Sequence, residues 1–567
     1  MMQQTDFFQS GPRLENTYQS NRWLPAYLKR HLPAEYWQDV NHDLSQLGEN
    51  CAGAFMDISR RAEREKPVHV PYDAWGARID ELRVSTAWQE LQDIAARERL
   101  IHIGYHRPLG IHSRLYQFAK LYLFHPSSAF FTCPLAMADG AARVLEVYGQ
   151  SEVHREAFAH LTSVNPADFW TSGQWMTEKT GGSDVSGTET VARMETDGKS
   201  AKLYGTKWFS SATTSQMALA LARPEGAVEG SRGLSLFLVH TYKSPGQLNE
   251  IEILRLKEKL GTWALPTAEL KLKGSRAHLV GEAGHGVKTV ATMLNITRLY
   301  NSVCSIGQMT RGLDLLRDYS GKRRAFKNTL ETHPLHLRVM VEEECKLLIG
   351  FMLTMEMVRL MGKEDLGQAS EPEKDLLRLF TPIAKFFTAR TAVETASQVV
   401  EGFGGAGYVE DTGIPVQLRD SQVFAIWEGA TNVLSLDLIR VVQKTGAIRA
   451  LQDDVARRLT EAATGPVADL VPMLKARWDS MAKTIHTWLE SPPELQAANS
   501  RAVGFQLAWH YGMALLASWA HLESQSNVAV LRTWMLEILP QLREVGLASL
   551  SSCQNAEVAA NGRLTLS

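Results

Sequence analysis

The chain has 567 residues, of which 44% are hydrophobic and 22% are charged, and its formal net charge is -2 at pH 7. This length exceeds what one hydrophobic core supports, so roughly three or four domains are expected. The balanced charge gives no indication of a nucleic-acid, membrane-surface or strongly acidic partner.

The first segment, residues 1–170, is predicted to be mostly helical. Apolar residues three or four positions apart recur in STAWQELQDIAARERLIHI and in DGAARVLEVYG. The texture then changes to short β-branched or alternating runs such as KLYGTKWFSS and GLSLFLVHTY. The second segment, residues 171–284, is therefore predicted to be an antiparallel β-domain between helical parts.

Helical periodicity returns in the third segment, residues 285–442, and continues in a fourth, residues 443–567. The fourth segment contains Ala502–Leu522, the longest run without Asp, Glu, Lys or Arg. This run is long enough to cross a bilayer. Because a glutamine, a tyrosine and two histidines interrupt it, we predict a buried bundle helix and no membrane span.

The cysteines and the N-terminus indicate the compartment. The five cysteines, which have no CxxC pair, are Cys51, Cys133, Cys304, Cys345 and Cys553. An odd and scattered set is typical of a reducing compartment, without a disulfide framework or a zinc site. The N-terminal segment lacks a basic start followed by an apolar block, so no secretory signal is expected. We therefore expect a cytoplasmic protein.

Residues 402–407, GFGGAG, match the GxGxxG pattern of dinucleotide-binding loops. That fingerprint follows a strand and opens a helix, because the pyrophosphate rests on the helix N-terminus. Here a helical pattern precedes the glycines and a turn, YVEDTGIP, follows them. A Rossmann site is not favoured, although a glycine-rich loop could still let a cofactor approach the backbone.

Histidine pairs occur twice, but neither predicts a metal site. His102 and His106 have the i, i+4 spacing of helical ligands, with His112 nearby. There is no adjacent acid of the metalloprotease type, and a proline follows at once. Structural roles are favoured for these histidines and for His333 and His336.

Three further stretches leave two interpretations open when taken alone. GKRRAF after a long helix could bind a phosphate or could be a solvated helix end. WMTEKTGGSDVSGTET could offer hydroxyl and N–H groups to a ligand or could be a plain connector. Glu428 in FAIWEGATNV is an isolated carboxylate among apolar residues, where an unpaired charge is costly. It could be a helix-end residue or a base.

In their order along the chain, these motifs resemble those of the acyl-CoA dehydrogenase flavoproteins. WMTEKTGGSDV resembles the TEP-G-GSD loop, GTKWFSS the G-K-WI(T/S) strand and MLNITR the helix with a substrate-side arginine. GKRRAF resembles R-x-x-F, EGFGGAGY the Q-x-x-GG-x-G(F/Y) loop and IWEGATN the I-Y-E-G-T segment. The resemblance implies an α+β fold: an N-terminal helical domain, a central antiparallel β-domain, a C-terminal four-helix bundle and an additional helical domain.

Several departures from the family pattern resemble its alkylation-response, AidB-type branch. Lys179 replaces the usual proline of the TEP loop, Trp427 the usual tyrosine, and Glu401 a glutamine. The C-terminal extension of about 125 residues is also a feature of that branch. Ala430 replaces a common threonine, which removes one hydroxyl near the flavin.

The resemblance implies FAD as the cofactor and assigns residues to it. The residues expected to line the flavin of the same subunit are Met176, Thr177, Gly182, Ser183, Trp208, Ser210 and Asn432. Those expected to reach the FAD of a neighbouring subunit are Arg323, Phe326, Glu401, Gly404 and Gly405. A homo-oligomer, commonly a dimer of dimers, is therefore expected. The acyl pocket would be bordered by Arg298, Trp427 and Gly429.

The implied reaction is α,β-desaturation of a fatty or branched acyl-CoA thioester. No side chain accepts a hydride, so the flavin takes it from the β-carbon. Glu428 is expected to abstract the α-proton, and its backbone N–H, with a flavin ribityl hydroxyl, to polarise the thioester carbonyl. Some family members carry the base immediately before the substrate-side arginine. That position is Thr297 here, which cannot serve.

The physiological role has two candidate classes. The favoured one is a dehydrogenase that passes electrons to an electron-transfer flavoprotein; an oxidase would differ in oxygen access. The alternative is an alkylation-response flavoprotein that binds or protects DNA, with weak dehydrogenase activity. DNA binding requires a basic surface. Residues 441–567 contain 11 Lys and Arg and 11 Asp and Glu, so DNA is possible but not favoured.

Overall fold

The computed structural model describes residues 9–521, 523, 525–543 and 545–549, and Cys553 lies outside them. The helices are α1 (Leu24–His31), α2 (Ala34–Ala52), α3 (Ala54–Arg64), α4 (Thr86–Arg97), α5 (His102–His106), α6 (Ser113–Phe124), α7 (Thr132–Tyr148), α8 (Glu152–Leu161), α9 (Gly286–Lys322), α10 (Pro334–Asp365), α11 (Glu371–Phe403), α12 (Gly405–Tyr408), α13 (Ile414–Phe424), α14 (Thr431–Lys444), α15 (Ala447–Ala462), α16 (Val471–Glu490), α17 (Pro493–Ala520) and α18 (Gln525–Ile538). The strands are β1 (Val68–Tyr72), β2 (Arg78–Arg83), β3 (Ser172–Trp175), β4 (Val191–Met194), β5 (Ser200–Ser211), β6 (Met217–Pro224), β7 (Ser235–His240), β8 (Tyr242–Ser244), β9 (Gln247–Leu248), β10 (Ile251–Leu256), β11 (Thr267–Val280), β12 (Arg324–Ala325) and β13 (Asn328–Thr329).

The N-terminal segment is mostly helical, as predicted, but it also contains the hairpin β1–β2. The Asp73 carboxylate accepts hydrogen bonds from the backbone N–H groups of Trp75 and Ala77, both at 2.8 Å. Gly76 then adopts a φ of +86°, which glycine tolerates without a side-chain clash. The sequence DAWG is therefore a turn signal that the surrounding helical pattern obscured.

The central β-domain is a closed ring of strands around a small core. β11 pairs with β5 and β7, β5 with β4, β4 with β6, and β6 with β7, so five strands close on themselves. β10 and β3 flank the ring by pairing with β11 and β6. The interior is filled by small and medium apolar side chains such as Ala192, Leu203, Ala220, Phe237 and Leu270.

The prediction of a purely antiparallel domain is wrong in one respect, because β4 and β3 both run parallel to β6. A ring with an odd number of strands cannot alternate direction throughout. At least one neighbouring pair in a five-stranded ring must therefore be parallel, and here that pair is β4 with β6. The sequence pattern reports which residues point inwards but not which strands become neighbours.

The helical bundle is built on three long helices, α9, α10 and α11, which pack against one another. α11 begins at Ser370, whose hydroxyl accepts from the Glu373 N–H while the Glu373 carboxylate accepts from the Ser370 N–H. α13 packs against α9 and α11, and α14 packs against α11. The N-terminal helices α6 and α7 lie against α9, so the bundle core and the N-terminal core are continuous.

The C-terminal extension packs directly on the bundle through α17. Its Gly504 lies so close to α11 that an added Cβ would stand 2.6 Å from the Phe386 ring and 3.4 Å from Leu438 of α14. Searching the described residues, we find no helix with the length and apolarity needed to cross a membrane. The division into four domains at the boundaries expected from the sequence stays a prediction.

Candidate active site

Glu428 and Gly429 form a left-handed turn between α13 and α14. The φ angles are +55° at Glu428 and +105° at Gly429. A side chain at Gly429 would stand 2.7 Å from Leu434, so glycine is required there. A non-glycine residue with positive φ is strained and persists only where its surroundings hold it. The turn is therefore a position where the fold maintains an unfavourable conformation.

The Glu428 carboxyl group has one hydrogen-bond donor among the described residues. Thr297 of α9 donates its hydroxyl to Oε2 at 2.5 Å, and no described donor reaches Oε1. Burial raises the pKa of Glu428, opposed by the Thr297 hydrogen bond and by the charges of Arg298 and Lys385. The group is thus a partly buried carboxyl with one free oxygen and a raised affinity for a proton.

Two cations hold the backbone of the turn. Arg298 Nε donates to the Glu428 carbonyl at 3.3 Å, and Lys385 Nζ of α11 donates to the Gly429 carbonyl at 2.7 Å. In the described part of the chain, no acceptor lies within hydrogen-bonding distance of the Glu428 N–H. The turn therefore presents a free backbone donor beside a partly buried carboxyl group.

Aromatic side chains form one wall next to the turn. Trp427 is partly buried, and its ring centroid lies 5.8 Å from that of Phe130, which in turn lies 5.4 Å from Phe424. Trp427 Nε1 is buried without a described hydrogen-bond partner. Burial disfavours the charged form of the Glu428 carboxyl group, which accounts for the direction of its pKa shift.

The predicted flavin residues of β3, β5 and the intervening loop come together. Met176 and Thr177 directly follow β3, and the Trp208 N–H of β5 donates to the Thr177 carbonyl at 3.0 Å. Gly182 folds back onto Thr177, where a Cβ would approach its side chain to 3.0 Å. Ser183 follows in this exposed loop.

A buried ion pair braces this loop. Lys207 Nζ donates to Glu178 Oε1 at 2.6 Å, and the Glu189 N–H donates to Glu178 Oε2 at 2.7 Å. The Thr190 hydroxyl also donates to Oε1, at 2.5 Å. These bonds tie both ends of the loop to β5. The sequence interpretation passed over this pair, although an acid in the loop and a lysine in the strand were visible.

One polar atom of this region is left without a partner. The Ser210 side chain is fully buried, and no described residue hydrogen-bonds to its Oγ. Buried hydroxyl groups are normally satisfied, so an orphaned one indicates a partner supplied from outside the chain. The donor set around it, hydroxyls and backbone N–H groups beside an indole, suits a polar heterocyclic cofactor.

The second predicted group, assigned to a neighbouring subunit's FAD, lies at the far end of the bundle. Arg323 lies about 39 Å along α9 from Thr297, at about 1.5 Å per residue. Phe326 is 92% exposed, on the hairpin β12–β13. Glu401, Gly404 and Gly405 lie at the end of α11 and are exposed. The Tyr319 and Phe403 rings, 4.5 Å apart, join the two helix ends.

Asn432 lies on the first turn of α14 and is exposed, and its contact was not anticipated. Arg501 of α17 donates to the Asn432 side-chain oxygen at 3.2 Å. The C-terminal extension therefore reaches the neighbourhood of Glu428. Thr297, rejected as a base position, and Lys385 were also missed as contacts of the turn. Lys385 could have been noticed as a lone cation in the apolar run FTPIAKFF.

The remaining motifs form structural contacts. One ring nitrogen of His102 lies 3.0 Å from the Thr162 carbonyl oxygen. One ring nitrogen of His336 lies 2.7 Å from the Ser320 hydroxyl oxygen. Within the described ranges, no cluster of three His, Cys, Asp or Glu side chains is placed to hold a metal ion. GFGGAG follows the long helix α11 and not a strand, which agrees with the rejection of a Rossmann site.

Comparison with known protein families gives three matches along the chain. Residues 284–443 match the acyl-CoA dehydrogenase C-terminal domain, and residues 173–275 match the acyl-CoA dehydrogenase middle domain. Residues 11–165 match the N-terminal domain of the adaptive response protein AidB.

Individual relatives agree with these matches. Acyl-CoA dehydrogenase family member 11 of Caenorhabditis elegans is 40% identical over 549 residues, which cover 92% of this chain and 88% of that protein. The crystal structure of C. elegans ACDH-11 in complex with C11-CoA superposes with a TM-score of 0.90 at 38% identity, covering 99% of this chain and 98% of that one. AidB of Escherichia coli (strain K12) is 29% identical over 414 residues, 71% of this chain and 74% of that protein.

Proposed function

The chain belongs to the acyl-CoA dehydrogenase family, and from this premise we propose that it desaturates a fatty or branched acyl-CoA with Glu428 as the base. Enzymes of this family use FAD, so the predictions of an oxidoreductase and of its cofactor are confirmed. The observation that carries the proposal is the partly buried Glu428 carboxyl group with a free Oε1 and a raised pKa. The C11-CoA in the C. elegans structure supports an acyl-CoA as the substrate class.

The residues around β5 fit FAD. Met176 and Thr177 lie beside Trp208 of β5, and the buried Ser210 hydroxyl, two residues along the same strand, has no described partner. When bound there, FAD supplies the hydride acceptor that no side chain provides. We assign Gly182 and Ser183 to the same site, since the braced loop presents their backbone N–H groups.

Glu428 takes the α-proton at Oε1. A carboxylate in this partly buried turn is a stronger base than one in water, because burial disfavours its charged form. The Thr297 hydroxyl holds Oε2 and fixes the direction of the free oxygen. Proton abstraction from carbon needs this alignment as much as basicity.

The free N–H of Glu428 is the proposed donor to the thioester carbonyl. A preorganised donor aimed at a developing oxyanion stabilises the transition state more than the ground state. Arg298 and Trp427 would border the acyl chain, and the absence of a side chain at Gly429 lets the thioester approach the backbone.

We propose a homo-oligomer, commonly a dimer of dimers, in which a second chain completes each FAD site. The exposed Phe326 and the open Gly404 and Gly405 support this assignment, since an added Cβ at either glycine meets no atom within 4 Å. An electron-transfer flavoprotein is the proposed acceptor for the reduced cofactor.

The test uses the purified yellow holoenzyme, mixed anaerobically with acyl-CoAs of increasing chain length. We expect bleaching of the oxidised flavin absorbance, and its loss in Glu428→Gln with FAD retained. Glu152→Gln is the control, because that side chain is 81% exposed. Failure of every acyl-CoA to bleach the flavin contradicts the proposal. A salt-sensitive shift of duplex DNA would then favour the alkylation-response alternative.

A further inference from the structure

Lys385 is a fully buried cation that the proposed reaction does not use. Its residue exposure is 0%, and its sequence neighbours in FTPIAKFFTAR are mostly apolar. Burying an ammonium group is costly unless something compensates it. Its described hydrogen bond goes to the Gly429 carbonyl, at 2.7 Å. The described contact that compensates the burial of this ammonium group is therefore with the turn that carries the proposed base.

Lys385 and Arg298 act on consecutive carbonyls of this turn. Arg298 draws the Glu428 carbonyl towards α9, while Lys385 draws the Gly429 carbonyl towards α11. Both residues of the turn have positive φ, so the conformation depends on these external contacts. A carbonyl oxygen bonded into the bundle cannot lie beside the negative charge that develops on the substrate oxygen.

The charges that face Lys385 come from the turn and from α9. The Glu428 carboxyl group attracts it and Arg298 repels it, while burial is the dominant effect and lowers the pKa of Lys385 to about 7. Arg298 itself faces Asp437 of α14 at 3.7 Å, with Arg378 also near. Below about pH 7, then, Lys385 carries a positive charge next to Glu428.

We propose that Lys385 is a positioning residue: it holds the Gly429 carbonyl away from the acyl site, and its positive charge keeps Glu428 ionised. This role rests on the proposed function of Glu428 as the base. Lys385 itself need not touch substrate or cofactor. Its action is through the backbone of the turn and through the electrostatic potential at the carboxyl group.

Substitutions of Lys385 test its hydrogen bond to the Gly429 carbonyl and its positive charge. Lys385→Met removes the hydrogen bond and the charge, so we expect flavin reduction by acyl-CoA to slow about 100-fold, with acyl-CoA binding little changed. The acidic limb of the rate profile should move to higher pH, because loss of a nearby cation favours protonated Glu428. Lys385→Arg should restore the limb. Lys374→Met is the matched control, because Lys374 lies on the same helix and forms an exposed ion pair with Glu371.

A readout without turnover keeps this proposal distinct from the proposed function. The protonated carboxyl band of Glu428 is identified in pH-difference infrared spectra as the band absent in Glu428→Gln. Its midpoint should lie at higher pH in Lys385→Met than in the wild type, whether or not any acyl-CoA bleaches the flavin.

Lys385→Gln provides the second variant if Lys385→Met does not fold. It keeps a donor for the Gly429 carbonyl without the charge, so the midpoint should still move up while the rate falls less. An unshifted midpoint in the folded variants overturns the proposal. A rate loss explained wholly by loss of FAD or of thermal stability overturns it as well.

Discussion

Two carboxylates of this chain, the fully buried Asp139 and the partly buried Glu428, differ in how completely they are paired. Asp139 Oδ1 accepts from Tyr105 at 2.7 Å and Arg114 at 2.9 Å. Its Oδ2 accepts from Gln117 at 2.6 Å and Tyr300 at 2.8 Å. Glu428 has the single donor Thr297 and sits at a strained φ.

The difference separates a structural carboxylate from one suited to chemistry. Around Asp139 the acceptor positions are occupied and Arg114 neutralises the charge, so the group ties α5, α6, α7 and α9 together. Around Glu428 one oxygen is free and the charged form is disfavoured. A buried acid with few donors is available to bind a proton.

Asp139→Asn should produce the largest effect on folding. The amide removes a buried charge opposite Arg114 and replaces one acceptor oxygen with a donor NH2 group, so we expect a loss of about 3–5 kcal/mol in the free energy of unfolding. Urea denaturation of the holoenzyme measures it. At the exposed pair Glu152–Arg155, Glu152→Ala should cost less than about 1 kcal/mol. If Asp139→Asn kept its stability but lost flavin reduction, Asp139 would have a functional role, and the contrast between it and Glu428 would fail.

Thr297→Val should affect the reaction more than the fold. It removes the donor to Glu428 Oε2, and a hydrogen bond to a charged group contributes about 1.5–3 kcal/mol. Because this bond lowers the pKa of Glu428, its loss should move the acidic limb of flavin reduction to higher pH. Stopped-flow absorbance across pH measures the shift. Thr297→Ser, which keeps the donor, should behave like the wild type; an equal shift in both variants would contradict the assignment.

Ser210→Ala should have the smallest effect on stability and a selective effect on the cofactor. Since Ser210 Oγ has no described partner, the apoprotein should change by less than about 0.5 kcal/mol. FAD affinity, followed by flavin fluorescence, should fall about tenfold for one lost hydrogen bond. Ser275→Ala is the control, because that hydroxyl donates to the Glu250 carbonyl at 3.0 Å. Unchanged FAD affinity in Ser210→Ala would remove Ser210 from the site.

The sequence was sufficient to predict local secondary structure and the residues that belong to each motif. The helical periodicity of α9 and α11 and the alternation in β5 follow from residue types, whereas the FAD dependence follows from the resemblance of the motifs to a flavoprotein family. The hairpin β1–β2 was missed because its short strands stand between strong helical patterns. The parallel pairing of β4 with β6 depends on ring closure, which no single segment encodes.

The contacts of the turn at Glu428 and Gly429 were the least predictable part. Thr297 and Glu428 are separated by 131 positions, and Lys385 and Gly429 by 44, so nothing local announces their proximity. An apolar helix with one lysine has two explanations, a satisfied structural cation or a partner of the site. Only the packing of α11 against the turn distinguishes them.

The contact of α17 with α11 and α14 also sets an order of events during translation. At about 5–20 residues per second, α17 is completed roughly 4–15 s after α14. Until then the faces of α11 and α14 that Gly504 approaches stay uncovered, including the Phe386 ring next to Lys385. The strands and loops assigned to the flavin are synthesised well before α17 packs on α11 and α14. The nascent enzyme therefore passes through a stage in which the loops assigned to the cofactor exist while apolar surface on α11 and α14 is open to chaperones and to other nascent chains.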